Sequence, residues 1–238
     1  MRPDLEPTKN VRSNSEGRFI AMSRRVARII VTGAAAVAAV GLAATSASAD
    51  PFEPSSWTID PGGPYTATTG FTELADVTVG VSFTCTTDAD GAASTATGDL
   101  KIGPGVTNPL GDVKTLNFHN CSGPLGAVTA TPNDLPYDIN GYTFDDMATV
   151  NETVGYIGPV NVHVSMDNCA FDVVGNAPGF FDNATSELRV DPAAQLPAGV
   201  EPLHPININC LGLVNETDVL TYDGDYTVSP HTTITGQV

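Results

Sequence analysis

In FHNCSGPLG, residues 118–126, His119 stands two residues before Cys121. Residues two apart on a strand share a face, so the pair could set an imidazole beside a thiol. A thiol nucleophile needs such a base and surroundings that lower its pKa. The related stretch ININCLGLV, residues 206–214, carries Ile208 where the histidine would stand before Cys210, which weighs against a catalytic role. All four cysteines, Cys85, Cys121, Cys169 and Cys210, lie beyond residue 49. An even count in an exported chain favours disulfides over thiol chemistry. The cysteines also lack the close C-x2-C pairing of structural zinc sites, so no metal is expected on them.

Other groups are weaker candidates. In TTDADG, residues 86–91, Asp88, Asp90 and Gly91 occupy the third, fifth and sixth places of a calcium loop. Thr86 and Thr97 fill the first and twelfth places, where carboxylates belong, so an acidic turn is expected there. The acidic stretches Asp145-Asp146 and Asp223-Gly224-Asp225 carry the same ambiguity. No G-x-S-x-G elbow indicates a serine hydrolase. Carboxylates are abundant enough that no glycosidase pair stands out. His163 lies opposite the apolar face of an alternating strand, which points to a structural histidine. Trp57, the lone tryptophan, is expected to anchor the first strand. Asn151, Asn183 and Asn215 each head an N-x-T triplet, which matters only in a host that glycosylates such sites. The sequence implies no cofactor.

The elements that would hold these residues are short strands. Nothing after the leader reads as a long amphipathic helix, and apolar runs alternate with Gly and Pro punctuation, as in an antiparallel sandwich or barrel-like sandwich. In residues 76–85, Val77, Val79, Val81 and Phe83 fall on one face. Residues 159–169 repeat the pattern with Val160, Val162, Val164 and Met166. Shorter strands are expected at 98–102, 115–119, 126–131, 187–190, 206–209, 219–222 and 225–228. The Asp223-Gly224 pair between the last two predicts a hairpin turn.

An internal echo orders this set and predicts two related β units, 76–131 and 159–228. Each has an alternating strand ending in a cysteine, then a short strand (TGDLKI or TSELRV), then Asn-Cys and a glycine turn. The separations are close, 36 residues from Cys85 to Cys121 and 41 from Cys169 to Cys210. Of the three possible connectivities, the echo selects Cys85 with Cys121 and Cys169 with Cys210. The apolar residues before the second cysteines differ in parity, so the echo is imperfect.

Residues 1–49 read as an extension and signal peptide, with 50–238 as the secreted domain. Arg24, Arg25 and Arg28 precede an apolar run from Ile29, which ends in Ala47-Ser48-Ala49, and cleavage is expected after Ala49. Met22 could be the true start. The arginine pair lacks the hydrophobic residues of a twin-arginine signal, so ordinary export is favoured. No cysteine at the cleavage site offers a lipid anchor, and no later run approaches the roughly 18 apolar residues of a membrane helix. The expected location is therefore extracellular, with cell-wall association open. Beyond residue 49 only Lys101, Lys114 and Arg189 are basic, against 24 acids, a net charge of −21. Such a surface repels nucleic acids and anionic lipids.

W-x-I-x-P-G-G at 57, the strand ending in Cys85, C-S-G-P-L-G at 121, C-L-G-L-V-N at 210 and a closing Y-x-V-x-P together resemble small exported actinobacterial proteins described only as secreted or hypothetical. That resemblance implies export and two disulfide staples, and it implies no catalytic residues. The leading functional class is a secreted or envelope-associated β module that binds or scaffolds an unidentified cell-wall or extracellular ligand. An envelope channel component and an extracellular carboxylate hydrolase are the alternatives.

Overall fold

A computed structural model describes residues 51–145 and 151–238; the leader, its cleavage site, Met22 and Asp146 lie outside the described residues. Sixteen strands account for the fold in chain order: β1 (Ser56–Asp60), β2 (Gly63–Thr69), β3 (Phe71–Asp76), β4 (Val81–Thr86), β5 (Ser94–Leu100), β6 (Gly103–Val106), β7 (Gly111–Asn117), β8 (Cys121–Gly123), β9 (Gly126–Pro132), β10 (Tyr137–Asp145), β11 (Glu152–Met166), β12 (Cys169–Asp182), β13 (Glu187–Val190), β14 (His204–Asn209), β15 (Leu220–Ser229) and β16 (Thr233–Gln237). All ladders are antiparallel, and the fold is an all-β, barrel-like sandwich.

Three long elements organise it. β11 and β12 form a hairpin that runs from Glu152↔Asp182 to Met166↔Cys169. β2 and β3 are nearly continuous through Gly70, and together they lie along β15. Each long element changes its other neighbour midway. The first half of β11 pairs with β10 and the second half with β9, with a register shift between Ile157 and Val160. The hydrogen bonds therefore close one ring, β2-β5-β7-β10-β11-β12-β13-β15 and back to β2. Below it, β3-β4-β8-β9 joins β15 to β11, while β14 hangs on β12. β14 and β15 are not paired as strands, so this lower level has a seam.

Alternation fills the interior. In β2, Tyr65, Ala67 and Thr69 are buried and Pro64, Thr66 and Thr68 exposed. In β12, Cys169, Phe171, Val173, Ala177 and Phe181 point inward. Fully burying a side chain such as Phe171 contributes about 1.5–3 kcal/mol. A separate sheet, β16-β1-β6, presses Trp57, Ile59 and Ile234 onto the barrel. Trp57 is 3% exposed and packs over Gly141, where an added Cβ would sit 2.5 Å from the indole.

Three expectations are corrected. Residues 76–85 are not one strand, because the Asp76 carboxylate accepts from the amides of Thr78 and Val79, and Gly80 takes φ 74°. That turn leaves Val77 and Val79 exposed and starts β4 at Val81. Asp223-Gly224 is not a hairpin turn. Gly224 lies within β15 at the crossing of β3 and β13, where a Cβ would meet Thr72 at 3.0 Å. Cys169 does not end a strand; the chain reverses at Asp167-Asn168, with Asn168 at φ 57°, and Cys169 opens β12.

Candidate functional site

The cysteines form two disulfides, Cys85–Cys121 between β4 and β8 and Cys169–Cys210 between β12 and the residue after β14. With Cys121 oxidised, His119 has no thiol to activate. The backbone amide of His119 donates to Ser94 Oγ, which fixes the turn into β8.

Asp88 and Asp90 do not converge on an ion. Asp88 Oδ1 accepts from the amides of Asp90 and Ala92 at 2.9 and 2.8 Å, so the carboxylate closes its own turn. Among the described residues no group of three or more His, Cys, Asp or Glu is placed to hold a metal. Asn183 is buried and bonds both ways with the backbone of Ile234, so its amide ties β16 to the barrel. Asp225 faces solvent on β15.

His163 has a partner that the sequence did not single out. It stands opposite Asp172 across the β11–β12 hairpin, with Nδ1 2.6 Å from Oδ1, and Asn207 Nδ2 donates to Asp172 Oδ2 at 2.7 Å. The Asn207 amide, and then His163, hold the Asp172 carboxyl below the usual carboxylate range. This is a cross-strand polar cluster on the partly solvated face. A second acid pair is internal. Asp76 is fully buried and Asp218 is 4% exposed. Asp76 Oδ1 accepts from the turn amides, Oδ2 is bonded to no donor, and the Asp218 side chain lies beside the Asp76 carboxyl. Burial, then the Asp218 contact, raises the Asp76 pKa.

The arrangement with the clearest chemical character is a cavity of about 110 Å³ inside the barrel. Phe83, Val113, Val164 and Val173 line it from different strands, and Ala67, Ala96 and Ala177 leave the space. Four tyrosines also face it, and each hydroxyl is engaged by the wall. Tyr65 Oη donates to the Asp112 carbonyl at 3.1 Å. Tyr137 Oη lies 2.6 and 2.5 Å from the carbonyls of Asn133 and Asn161. The hydroxyls of Tyr222 and Tyr226 lie 2.6 Å apart, and Thr72 also bonds Tyr222. Burial pushes the Tyr222 phenol up to about 12, and Tyr65 and Tyr226 also titrate above their ordinary value, chiefly from burial. All four phenols stay neutral at physiological pH, and their rings add hydrocarbon surface to the lining.

The mouth follows from strand divergence. β7 pairs with β10 only as far as Val113 and then continues along β5 alone, while β9 pairs with β8 and β11. Leu116, Phe118, Val128 and Ala130 line the cavity here and are only half-buried. Phe118 reaches across to Tyr222, edge to face at 6.3 Å. No carboxylate or histidine lines the cavity, so its chemistry is selective accommodation of apolar groups.

No curated protein and no solved structure matches the chain. The sequence model of the alkane oxidation protein activator PraA/PraB-like family matches residues 24–236, and the chain belongs to that family.

Proposed function

We propose that this chain is an exported, disulfide-stapled binding protein for apolar aliphatic molecules, and that it supports alkane oxidation by taking up hydrocarbon. The observation that carries this reading is the barrel cavity, whose tyrosine hydroxyls are all bonded to protein and whose remaining lining is apolar except for Thr72, which bonds Tyr222, and the disulfide-bonded Cys85. Each methylene moved from water into such surroundings contributes about 0.8 kcal/mol. A dry apolar cavity of about 150 Å³ holds benzene, so about 110 Å³ suits a short aliphatic segment. The family's description names alkane oxidation, which matches that ligand class. The basic-apolar leader and two disulfides support an oxidising, extracytoplasmic location.

The apolar-inward pattern supports this reading over a channel, since a membrane barrel carries its apolar band outside and a polar lumen within. It also supports binding over carboxylate hydrolysis, because the acids lie away from the cavity lining.

The test is the partitioning of n-hexane from the vapour into a solution of the purified protein, read by headspace gas chromatography. The protein should take up n-hexane in a saturable response that buffer alone does not give. Ala96→Phe, which fills the cavity, and Val128→Trp, which narrows the mouth, should each weaken the response. Uptake no greater than that of buffer, or indifferent to both substitutions, would overturn the proposal.

A further inference from the structure

Resting on that reading, we infer that the binding site does not end at the barrel wall: it continues between Leu203 and Tyr222 into an outer groove, and the whole forms a channel for one linear aliphatic chain. The groove is larger than the inner cavity, about 320 Å³, and lies beneath residues 191–203. Leu196, Pro197, Val200 and Pro192 form one side, and Val219 and Leu220 the other. Leu203 and Tyr222 line both spaces, so these two side chains are their common wall.

The wall stands at the seam of the lower level. β14 and β15 are not paired there, and the backbone link across it is a single bond, from the Leu220 amide to the Leu203 carbonyl at 3.4 Å. Apart from the mouth between β7 and β9, the rest of the lower level is closed by paired strands. The strap over the groove is tied at its ends, by the Asp191 amide to the Pro178 carbonyl and by the Asn176 amide and side chain to the Glu201 carbonyl. Between those ties its amides bond only within the strap, Ala194 to Asp191 and Val200 to Pro197. Three prolines, at 192, 197 and 202, hold it extended with few donors to solvate.

Size makes the groove necessary for a long ligand. The inner cavity is smaller than the roughly 150 Å³ space that holds one benzene, so a chain of twelve carbons cannot be enclosed there. Its remainder would lie in water unless it passed the wall into the groove. The passage is bounded by two side chains, which suits an unbranched chain and excludes a ring.

The experiment measures the uptake of n-pentane and of n-dodecane from the vapour by the wild-type protein, Val200→Glu and Leu196→Arg. Both substitutions put a charge into the groove on the strap, away from the barrel lining. n-Pentane should bind all three proteins alike, which also reports that the barrel is folded. n-Dodecane should lose at least about tenfold in affinity for both variants, since each methylene left in water lowers affinity by roughly fourfold. Unchanged n-dodecane affinity in the variants would overturn the extended site and leave the inner cavity standing. Failure of both alkanes to bind the wild-type protein would overturn the cavity reading itself, and the extension with it.

Discussion

The hydroxyls of Tyr222 and Tyr226 lie 2.6 Å apart on one face of β15, so two phenols at the cavity wall satisfy one another while their rings face the interior. Tyr222→Phe leaves the deeply buried Tyr226 hydroxyl without that partner and should cost about 1–3 kcal/mol. Tyr226→Phe should cost less, because Thr72 still serves Tyr222. The double substitution should cost less than the sum, as measured by urea unfolding of the four proteins in a double-mutant cycle.

The Cys85–Cys121 bridge spans 36 residues and joins β4 to β8 beside the cavity mouth. Replacing both cysteines by alanine should lower stability by about 4 kcal/mol in the chain-entropy account. Denaturant midpoints of the oxidised and substituted proteins check this. The Cys169–Cys210 bridge, spanning 41 residues, should give a similar loss.

Asp76 sets a pH dependence with a definite sign. Its folded pKa is raised, by burial first and then by Asp218, so the folded protein holds this proton after the unfolded chain has released it. The stability linked to that proton is fully present below the ordinary carboxylate value of 3.8 and is lost as pH rises through the raised folded value. Asp76→Asn keeps an acceptor for the Thr78 and Val79 amides and gives Asp218 a permanent donor. The variant should be more stable than wild type by about 1–3 kcal/mol at neutral pH, with the gap narrowing towards about pH 4. A gap that widens on acidification would contradict this assignment.

Trp57 lies against Gly141 with no room for a methyl group. Gly141→Ala should destabilise the β16-β1-β6 sheet by about 1–3 kcal/mol through overpacking. Trp57 is the single tryptophan, so its emission should shift to the red as this sheet loosens.

The sequence carried the architecture further than the site. Phe83 and Val164 were placed inward by two-residue alternation, and both line the cavity. β12 is not legible in the sequence because Gly175, Pro178 and Gly179 look like breaks. In the structure they are points of close approach: at Gly175 a Cβ would sit 2.2 Å from the Pro202 carbonyl oxygen, and at Gly179 2.4 Å from that of Arg189. With β12 unread, the His163–Asp172 contact was invisible as well, since it exists only in the hairpin register. The apparent turn at Asp223-Gly224 hid the spacing that sets Tyr222 and Tyr226 on one face. The cavity itself joins side chains from β2 to β15, and no local motif encodes such a convergence. The W-x-I-x-P-G-G stretch and the C-x-G turns are structural, which is why they point to no ligand.

The binding reading stands or falls on whether an aliphatic molecule enters the barrel or only adsorbs to its surface. The most direct measurement is of intermolecular nuclear Overhauser effects between n-hexane and the methyl groups of the labelled protein. Contacts are expected to Val113, Val128, Val164 and Val173, which face the cavity. Contacts confined to the exposed Val77, Val79, Ile102 and Leu211 would contradict it.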